Sequence, residues 1–187
     1  TSLTAPMLKL LFICTHNRCR SILSEAITNH FANNRIDARS AGSQPSGEVH
    51  PLSLKYLQQH GFSTEGLTSQ SWDEFELWNP DIVITVCDSA AQESCPVWLG
   101  EAIKIHWGLS DPSKLAKHHK DSSQVNNEII ETAFRRTIKT IQLRVQGLLA
   151  LPFESYSKEK LTKTLVQLGE THGLSLIHIS EPTRQWQ

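Results

Sequence analysis

Residues 8–21 have the sequence Leu8-Lys-Leu-Leu-Phe-Ile-Cys14-Thr-His-Asn-Arg-Cys-Arg20-Ser21, an apolar run that leads into a polar loop. The run is short and ends at Cys14, which predicts a buried strand. From Ser21 to Phe31 apolar residues recur at every third or fourth position, which predicts a helix. The segment Cys14–Arg20 is then a turn between a strand and a helix, and such a unit is typical of α/β folds.

Further strands and helices alternate along the rest of the chain. Strands are predicted at Ile36–Ala41, Pro80–Cys87 and Ala102–Trp107, and helices at Pro51–Gly61, Val125–Leu148 and near Leu161–Leu168, the last either packed on the outside or frayed. This alternation predicts a parallel sheet with helices on both faces and with ligands bound outside the carboxyl ends of its strands. Cys14 follows the first predicted strand, Cys87 ends the third and Asp111 follows the fourth, so we expect them to meet at this edge.

The composition excludes some classes of partner. The chain has 187 residues, 39% hydrophobic and 20% charged, with a formal net charge of -1. This is enough for one domain with a core, and it offers no basic face for nucleic acid or for a membrane surface. No apolar run is long enough to span a bilayer, and no secretory leader opens the chain. We therefore expect a cytoplasmic protein whose four cysteines stay reduced.

The two ends of the chain are set apart from the rest. Met7 directly precedes the first apolar run, so residues 1–6 are interpreted as upstream read-through. Residues 174–187 begin with Leu-Ser-Leu-Ile-His-Ile-Ser-Glu-Pro-Thr-Arg, which resembles the translation of a sequencing adapter. We therefore expect a single domain over residues 7–173 and assign no function to the last segment.

The loop after the first strand has the residues of an oxyanion site. A loop that leads into a helix can turn backbone N–H groups inward, and the helix N-terminus adds partial positive charge. Arg20 can grip two anion oxygens, and Cys14 in the same field is expected to lose its proton near neutral pH. Ser21 can donate a hydrogen bond to the thiolate, and Asn17 can hold the loop shape. The predicted oxyanion loop consists of Cys14, Thr15, His16, Asn17, Arg18, Cys19, Arg20 and Ser21.

The alternative interpretation is a buried structural thiol at Cys14 and a solvated arginine at Arg20, because Cys-x5-Arg alone is a weak pattern. Asp111-Pro112 on the same predicted edge favours catalysis, since a carboxylic acid there can protonate a leaving oxygen. An Asp-Pro pair is nevertheless also common in plain turns.

Two further cysteines add a redox possibility. Cys87 ends a predicted strand and Cys95 lies eight positions later in a polar loop, so the pair could form a disulfide if the loop bends. Zinc is the competing interpretation, with a ligand from His16, His50 or His106. Neither pair of cysteines has the usual spacing of zinc ligands, so no metal is predicted.

Five segments together resemble the arsenate reductases that have the low-molecular-weight tyrosine phosphatase fold. They are Cys14–Ser21, Ser40-Ala-Gly-Ser43, Val83-Ile-Thr-Val-Cys87, Cys95-Pro96 and His106-Trp-Gly-Leu-Ser-Asp111-Pro112. The resemblance covers residues 7 to about 149. It implies an α/β fold of three layers, an α/β/α sandwich around a four-stranded parallel sheet.

The resemblance also implies a reaction and the residues that perform it. Cys14, with Arg20 in the same loop, would attack arsenate while Asp111 protonates the departing oxygen. Cys87 would then attack Cys14 and release arsenite. Cys95 would resolve the Cys14–Cys87 disulfide and leave a Cys87–Cys95 disulfide for an external reductant.

The resemblance implies no bound cofactor. The implied partners are arsenate, with phosphate as a competing anion, and either thioredoxin or glutathione with glutaredoxin as the reductant. The pair Cys87 and Cys95 suits thioredoxin, whereas the loop residues Thr15–Asn17 and the stretch Gly42–Pro45 resemble members coupled to glutaredoxin. The sequence leaves the donor open.

Two other functions use the same residues. A low-molecular-weight tyrosine phosphatase would need Cys14, Arg20 and Asp111 but neither of the later cysteines, and it usually has an aromatic residue where this chain has Ser113. A non-catalytic module that binds an oxyanion or arsenite would need the thiols but no acid at Asp111.

Overall fold

The computed structural model describes residues 7–88, 90, 96, 99–118 and 124–170. Its centre is a parallel sheet of four strands, β1 (Leu8–Ile13), β2 (Ile36–Ala41), β3 (Ile82–Thr85) and β4 (Ile103–His106), in the order β2-β1-β3-β4. The interpretations of residues 1–6 and 174–187 concern segments outside this description.

Five helices surround the sheet within the described ranges. They are α1 (Arg20–Phe31), α2 (Pro51–Gln59), α3 (Lys114–His118), α4 (Gln124–Leu149) and α5 (Lys158–Gly169), with short 3-10 helices at Trp72–Phe75 and Phe153–Ser155. Helices α1 and α4 pack together, and α5 packs against α4 and β4.

The central strand shows that both faces of the sheet are covered. Successive side chains of a strand point to opposite faces, and the four residues from Leu10 to Ile13 are all at most 1% exposed. A near-continuous apolar run is typical of a parallel strand buried on both sides. The predicted three-layer α/β/α architecture is therefore confirmed.

The register of the strands brings their carboxyl ends into line. Ile13 is paired with Ala41 on one side and with Thr85 on the other, and Thr85 is paired with His106. The residues that follow these positions, Cys14 among them, consequently lie along one edge of the sheet. This edge carries the candidate site.

The observed elements differ from the predicted ones mainly at their ends. β3 covers Ile82–Thr85 rather than Pro80–Cys87, since Pro80 has no N–H for a ladder and Cys87 leaves the sheet in a bend. The last helix is packed rather than frayed, because Leu161 and Leu165 are buried. Among the described helices, none has the length and apolarity required to span a bilayer.

Candidate active site

Neighbouring segments hold the oxyanion loop by its carbonyl groups. The Thr15 carbonyl accepts from the Gln44 N–H at 2.9 Å, and the His16 carbonyl accepts from the Ser46 N–H at 3.0 Å. In a trans peptide the next N–H points opposite to the carbonyl. The outward carbonyls therefore turn the following N–H groups away from these neighbours and toward the inside of the loop, which is the arrangement of an anion nest.

Asn17 fixes the loop from within through its side chain. It is fully buried and has a positive φ of 48°, a conformation that Asn tolerates better than most residues. Its Nδ2 donates to the Ser21 hydroxyl at 2.8 Å and to the Ser40 hydroxyl at 3.0 Å, and its Oδ1 accepts from the Gln70 N–H at 2.8 Å. Ser21 is thus tied to the loop scaffold, whereas the sequence suggested a bond to the thiolate.

A buried carboxyl group lies behind this scaffold. The Ser40 hydroxyl donates to Glu25 Oε1 at 2.6 Å, and burial raises the pKa of Glu25 to about 7. The sequence analysis did not single out Glu25 or Gln70, and it quoted Ser40 only as part of the Ser40–Ser43 segment. The signal that could have found them is the Ser40–Ser43 segment, which follows β2 at the same edge as Cys14.

Gly42 allows the segment that follows β2 to approach the oxyanion loop closely. A Cβ atom at this position would lie 2.5 Å from the Thr15 carbonyl oxygen and 2.8 Å from the Cys14 carbonyl oxygen. Both contacts are with backbone, which cannot move aside as a flexible side chain can.

Gly42→Ala is expected to weaken phosphate binding about 10- to 100-fold, because the loop must shift by enough to lose part of its inward N–H geometry. The matched control is Gly147→Ala in α4, where the added Cβ meets only the tip of Leu168. Calorimetric titration with phosphate measures both. Equal affinity of Gly42→Ala and wild type would contradict this view of the loop.

Arg20 points its guanidinium into the site. Nη1 donates to the Leu109 carbonyl at 3.0 Å, and Nη2 lies 3.9 Å from Asp111 Oδ2. Nε is buried and has no hydrogen-bond partner among the described residues. Because a buried polar group normally has a partner, this N–H fits an oxygen of a bound anion.

Asp111 faces Arg20 from the loop after β4. Its Oδ1 accepts from the N–H of Ser113 at 2.9 Å and from the Ser113 hydroxyl at 2.6 Å. Oδ2 remains on the Arg20 side. Beside both residues opens a cavity of about 890 Å³ between this loop and α4. The geometry therefore permits Asp111 to reach an anion held by Arg20.

The Cys14 and Cys87 thiols lie close enough to share a hydrogen bond. This bond and burial raise the pKa of the Cys14 thiol above its usual range, and the Arg20 guanidinium opposes them. The expectation that Cys14 is ionised near neutral pH is therefore wrong for this arrangement of the site, because Cys87 and burial outweigh the field of Arg20. Thr15 Oγ1 lies 3.7 Å from the Cys87 sulfur, and the Ala90 N–H donates to it at 3.4 Å.

The other predicted loop residues have lesser contacts with the site. Cys19 is buried, and burial raises its pKa to about 12. His16 is exposed, with Nδ1 3.1 Å from the Gln44 carbonyl, and Arg18 is partly exposed. Cys95 lies outside the described residues.

The zinc interpretation finds no support in the described part of the chain. No group of three or more His, Cys, Asp or Glu side chains there is arranged to hold a metal ion. His50 caps α2 by accepting from the Leu52 N–H, and His106 contacts Thr85 and Asp88.

The fold and the site define a class. The first strand of the parallel sheet leads into a Cys-x5-Arg loop that lies opposite a carboxylate. The protein is therefore an α/β protein with a cysteine in a loop shaped for a tetrahedral anion. Within that class, the chain belongs to the low molecular weight phosphotyrosine protein phosphatase family, whose family model matches residues 9–165.

Two relatives of this chain are named arsenate reductases. The chain is 34% identical over 130 residues to arsenate reductase 1 of Staphylococcus epidermidis, covering 68% of this chain and 96% of that protein. It is 33% identical over 105 residues to the arsenate reductase of Halalkalibacterium halodurans, covering 56% of this chain and 74% of that protein.

Two solved structures of arsenate reductases are similar to this chain. A thioredoxin-dependent arsenate reductase of Corynebacterium glutamicum matches with a TM-score of 0.53 and 28% identity, over 79% of this chain and 63% of that chain. An arsenate reductase in an oxidised state matches with a TM-score of 0.57 and 26% identity, over 77% of this chain and 98% of that chain.

Proposed function

We propose that the protein reduces arsenate to arsenite, with Cys14 as nucleophile and Cys87 as the second thiol. The observation that carries the proposal is the contact between these two thiols at the oxyanion loop. Hydrolysis of a phosphate ester needs one thiol, whereas reduction by two electrons needs two that can join in a disulfide. The named relatives support the same reaction.

In the first step the loop N–H groups and Arg20 would hold arsenate oxygens while the Cys14 sulfur attacks arsenic. An arsenic–oxygen bond breaks, Asp111 donates a proton, and the oxygen leaves as water. The proton of Cys14 must leave before attack. Since Cys87 and burial hold it there, we place its acceptor on an oxygen of the incoming arsenate.

In the second step the Cys87 sulfur would attack the Cys14 sulfur, and the proton of the Cys87 thiol would pass to an oxygen on arsenic. The Cys14–arsenic bond breaks and its electron pair stays on arsenic, which is thereby reduced and leaves as arsenite. The two sulfurs are oxidised to the Cys14–Cys87 disulfide. We assign Cys95 to the next exchange, in which it would attack Cys87 and free Cys14.

An external thiol donor closes the cycle. We propose a cytoplasmic reaction that uses thioredoxin or glutathione with glutaredoxin, because such donors keep thiols reduced there. The relative from Corynebacterium glutamicum is thioredoxin-dependent, which supports the first donor.

Arsenite release in the presence of each donor tests the proposal. We expect the full chain to release arsenite catalytically with thioredoxin, thioredoxin reductase and NADPH or with glutathione and glutaredoxin, and phosphate to compete with arsenate. Wild-type protein that releases no arsenite with either donor would contradict the proposed function, while the preferred donor would be identified by the faster rate.

A tyrosine phosphatase is the second candidate, and the observation in its favour is the family itself. Ser113 follows Pro112 where such phosphatases usually place an aromatic wall for the substrate ring. Hydrolysis of an aryl phosphate faster than arsenate reduction would favour this candidate. Behaviour unaffected by Asp111→Asn would favour a non-catalytic binding module.

A further inference from the structure

Arg144 is a buried cation that the reaction described above does not use. It lies in α4 and is 1% exposed, although a charged group loses hydration when it is buried and normally does so only for a specific partner. Burial lowers the pKa of Arg144 to about 10, so the guanidinium is still charged at neutral pH. Its neighbours on the same helix face are apolar, among them Ile141, Val145 and Leu148.

One partner of this cation is the loop that carries Asp111. Nη1 of Arg144 donates to the Gly108 carbonyl at 3.3 Å, and the guanidinium carbon lies 6.0 Å from the centre of the Trp107 ring. Trp107 is itself fixed, because it is buried and its Nε1 donates to the Leu165 carbonyl at 2.8 Å. Arg144 thus joins α4 to a rigid part of the site.

Two arginines hold consecutive carbonyl groups of the loop. Arg144 binds the carbonyl of Gly108, and Arg20 binds that of Leu109. On the other side, the Leu109 N–H donates to the Val86 carbonyl at 3.0 Å. Asp111 follows two positions later, so its distance from Arg20 depends on where these carbonyls are held.

The two arginines differ in their position relative to the bound anion. Arg20 lines the cavity beside Asp111, and its buried Nε fits an anion oxygen while Nη1 holds the Leu109 carbonyl. Arg144 is not among the residues that line this cavity. Arg144 can therefore hold the loop in place while Arg20 contacts the substrate.

We propose that Arg144 is a positioning residue for the acid: by holding the Gly108 carbonyl, it keeps Asp111 within reach of an anion bound by Arg20. The proposal rests on the proposed function, in which Asp111 protonates the departing oxygen. A purely structural role is the alternative, and it makes a different prediction, because a buried ion can often be replaced by an apolar side chain of similar volume without loss of stability.

A double-mutant cycle on the full chain separates these roles. The proteins are wild type, Arg144→Met, Asp111→Asn and the double variant, and the readout is the single-turnover rate of arsenite release without external reductant. We expect Asp111→Asn to slow this step about 100-fold or more and Arg144→Met about 10- to 100-fold. The double variant should be no slower than Asp111→Asn, because a residue that acts through Asp111 has nothing left to position.

Two further variants control for folding and for charge. Arg135→Met makes the same change at an exposed site on α4 and should leave the rate unchanged. Arg144→Lys keeps the positive charge and should recover part of the rate lost in Arg144→Met. The melting temperatures of all variants are measured, and Arg144→Lys replaces Arg144→Met in the cycle if the latter does not fold.

The outcomes are distinguishable. A wild-type rate in Arg144→Met, or effects of the two substitutions that multiply in the double variant, would overturn the role of Arg144 and leave the proposed function intact. A wild-type rate in Asp111→Asn would refute the role of Asp111 as the acid, and with it the role of Arg144 in positioning that acid. A wild-type chain that forms no arsenite would refute the proposed function together with this inference.

Discussion

Cys87→Ser is expected to reduce steady-state arsenite formation about 1,000-fold or more. A serine oxygen cannot accept the disulfide bond, so the adduct between Cys14 and arsenic has no route to arsenite. Serine is slightly smaller than cysteine and similar in shape, and the fold should therefore persist. The measurement is arsenite release with an excess of the preferred reductant.

Anion binding provides the internal control for this variant. Arg20 and the loop N–H groups remain, so the affinity for phosphate measured by calorimetry should stay within about threefold of wild type. Full arsenite turnover by Cys87→Ser would exclude the proposed disulfide relay.

Arg20→Lys is expected to lower kcat/KM for arsenate about 100- to 1,000-fold. A lysine ammonium presents one point of positive charge, whereas the guanidinium of Arg20 can hold the Leu109 carbonyl and anion oxygens at the same time. Lysine would therefore lose either the loop contact or the anion contact.

The matched control is Arg135→Lys, on the exposed side of α4. Its kcat/KM should equal that of wild type, since the described contact of Arg135 is with Thr132 on the same helix and not with the oxyanion loop. Inhibition by phosphate reports the same loss independently of the redox steps. If Arg20→Lys changed both kcat/KM and the inhibition by phosphate less than threefold, a single point of positive charge would be sufficient to bind the anion.

Much of the fold could be predicted because its strands are apolar runs of simple form. The bounds of β1 and β2 agree with the prediction to the residue, since the polar loop begins directly after β1 and Arg35 and Gly42 flank β2. The packing of α5 could not be predicted. It depends on a long-range bond from Trp107 to the Leu165 carbonyl and on burial against β4, and neither leaves a local pattern.

The placement of Arg20 opposite Asp111 could be predicted from the sequence, but the electrostatics of the site could not. The approach of Arg20 to Asp111 follows from the alignment of strand ends, as the sequence analysis expected. The raised pKa of Cys14 does not follow, because it arises from a thiol that is distant in sequence and from burial. Arg144 left one local signal, a charged residue on the apolar face of a helix, which was not used.

The strand order β2-β1-β3-β4 also has a consequence for how the chain folds during synthesis. β1 and β2 can pair early, but the other edge of β1 stays open until β3 has been made, and non-local pairing of this kind is slow. During that interval Cys14, the proposed nucleophile, lacks the cover that β3 provides. Cys87 lies two positions after the end of β3 and is therefore made together with the strand that covers β1. A reducing environment at the ribosome would keep the nascent Cys14 from forming a wrong disulfide.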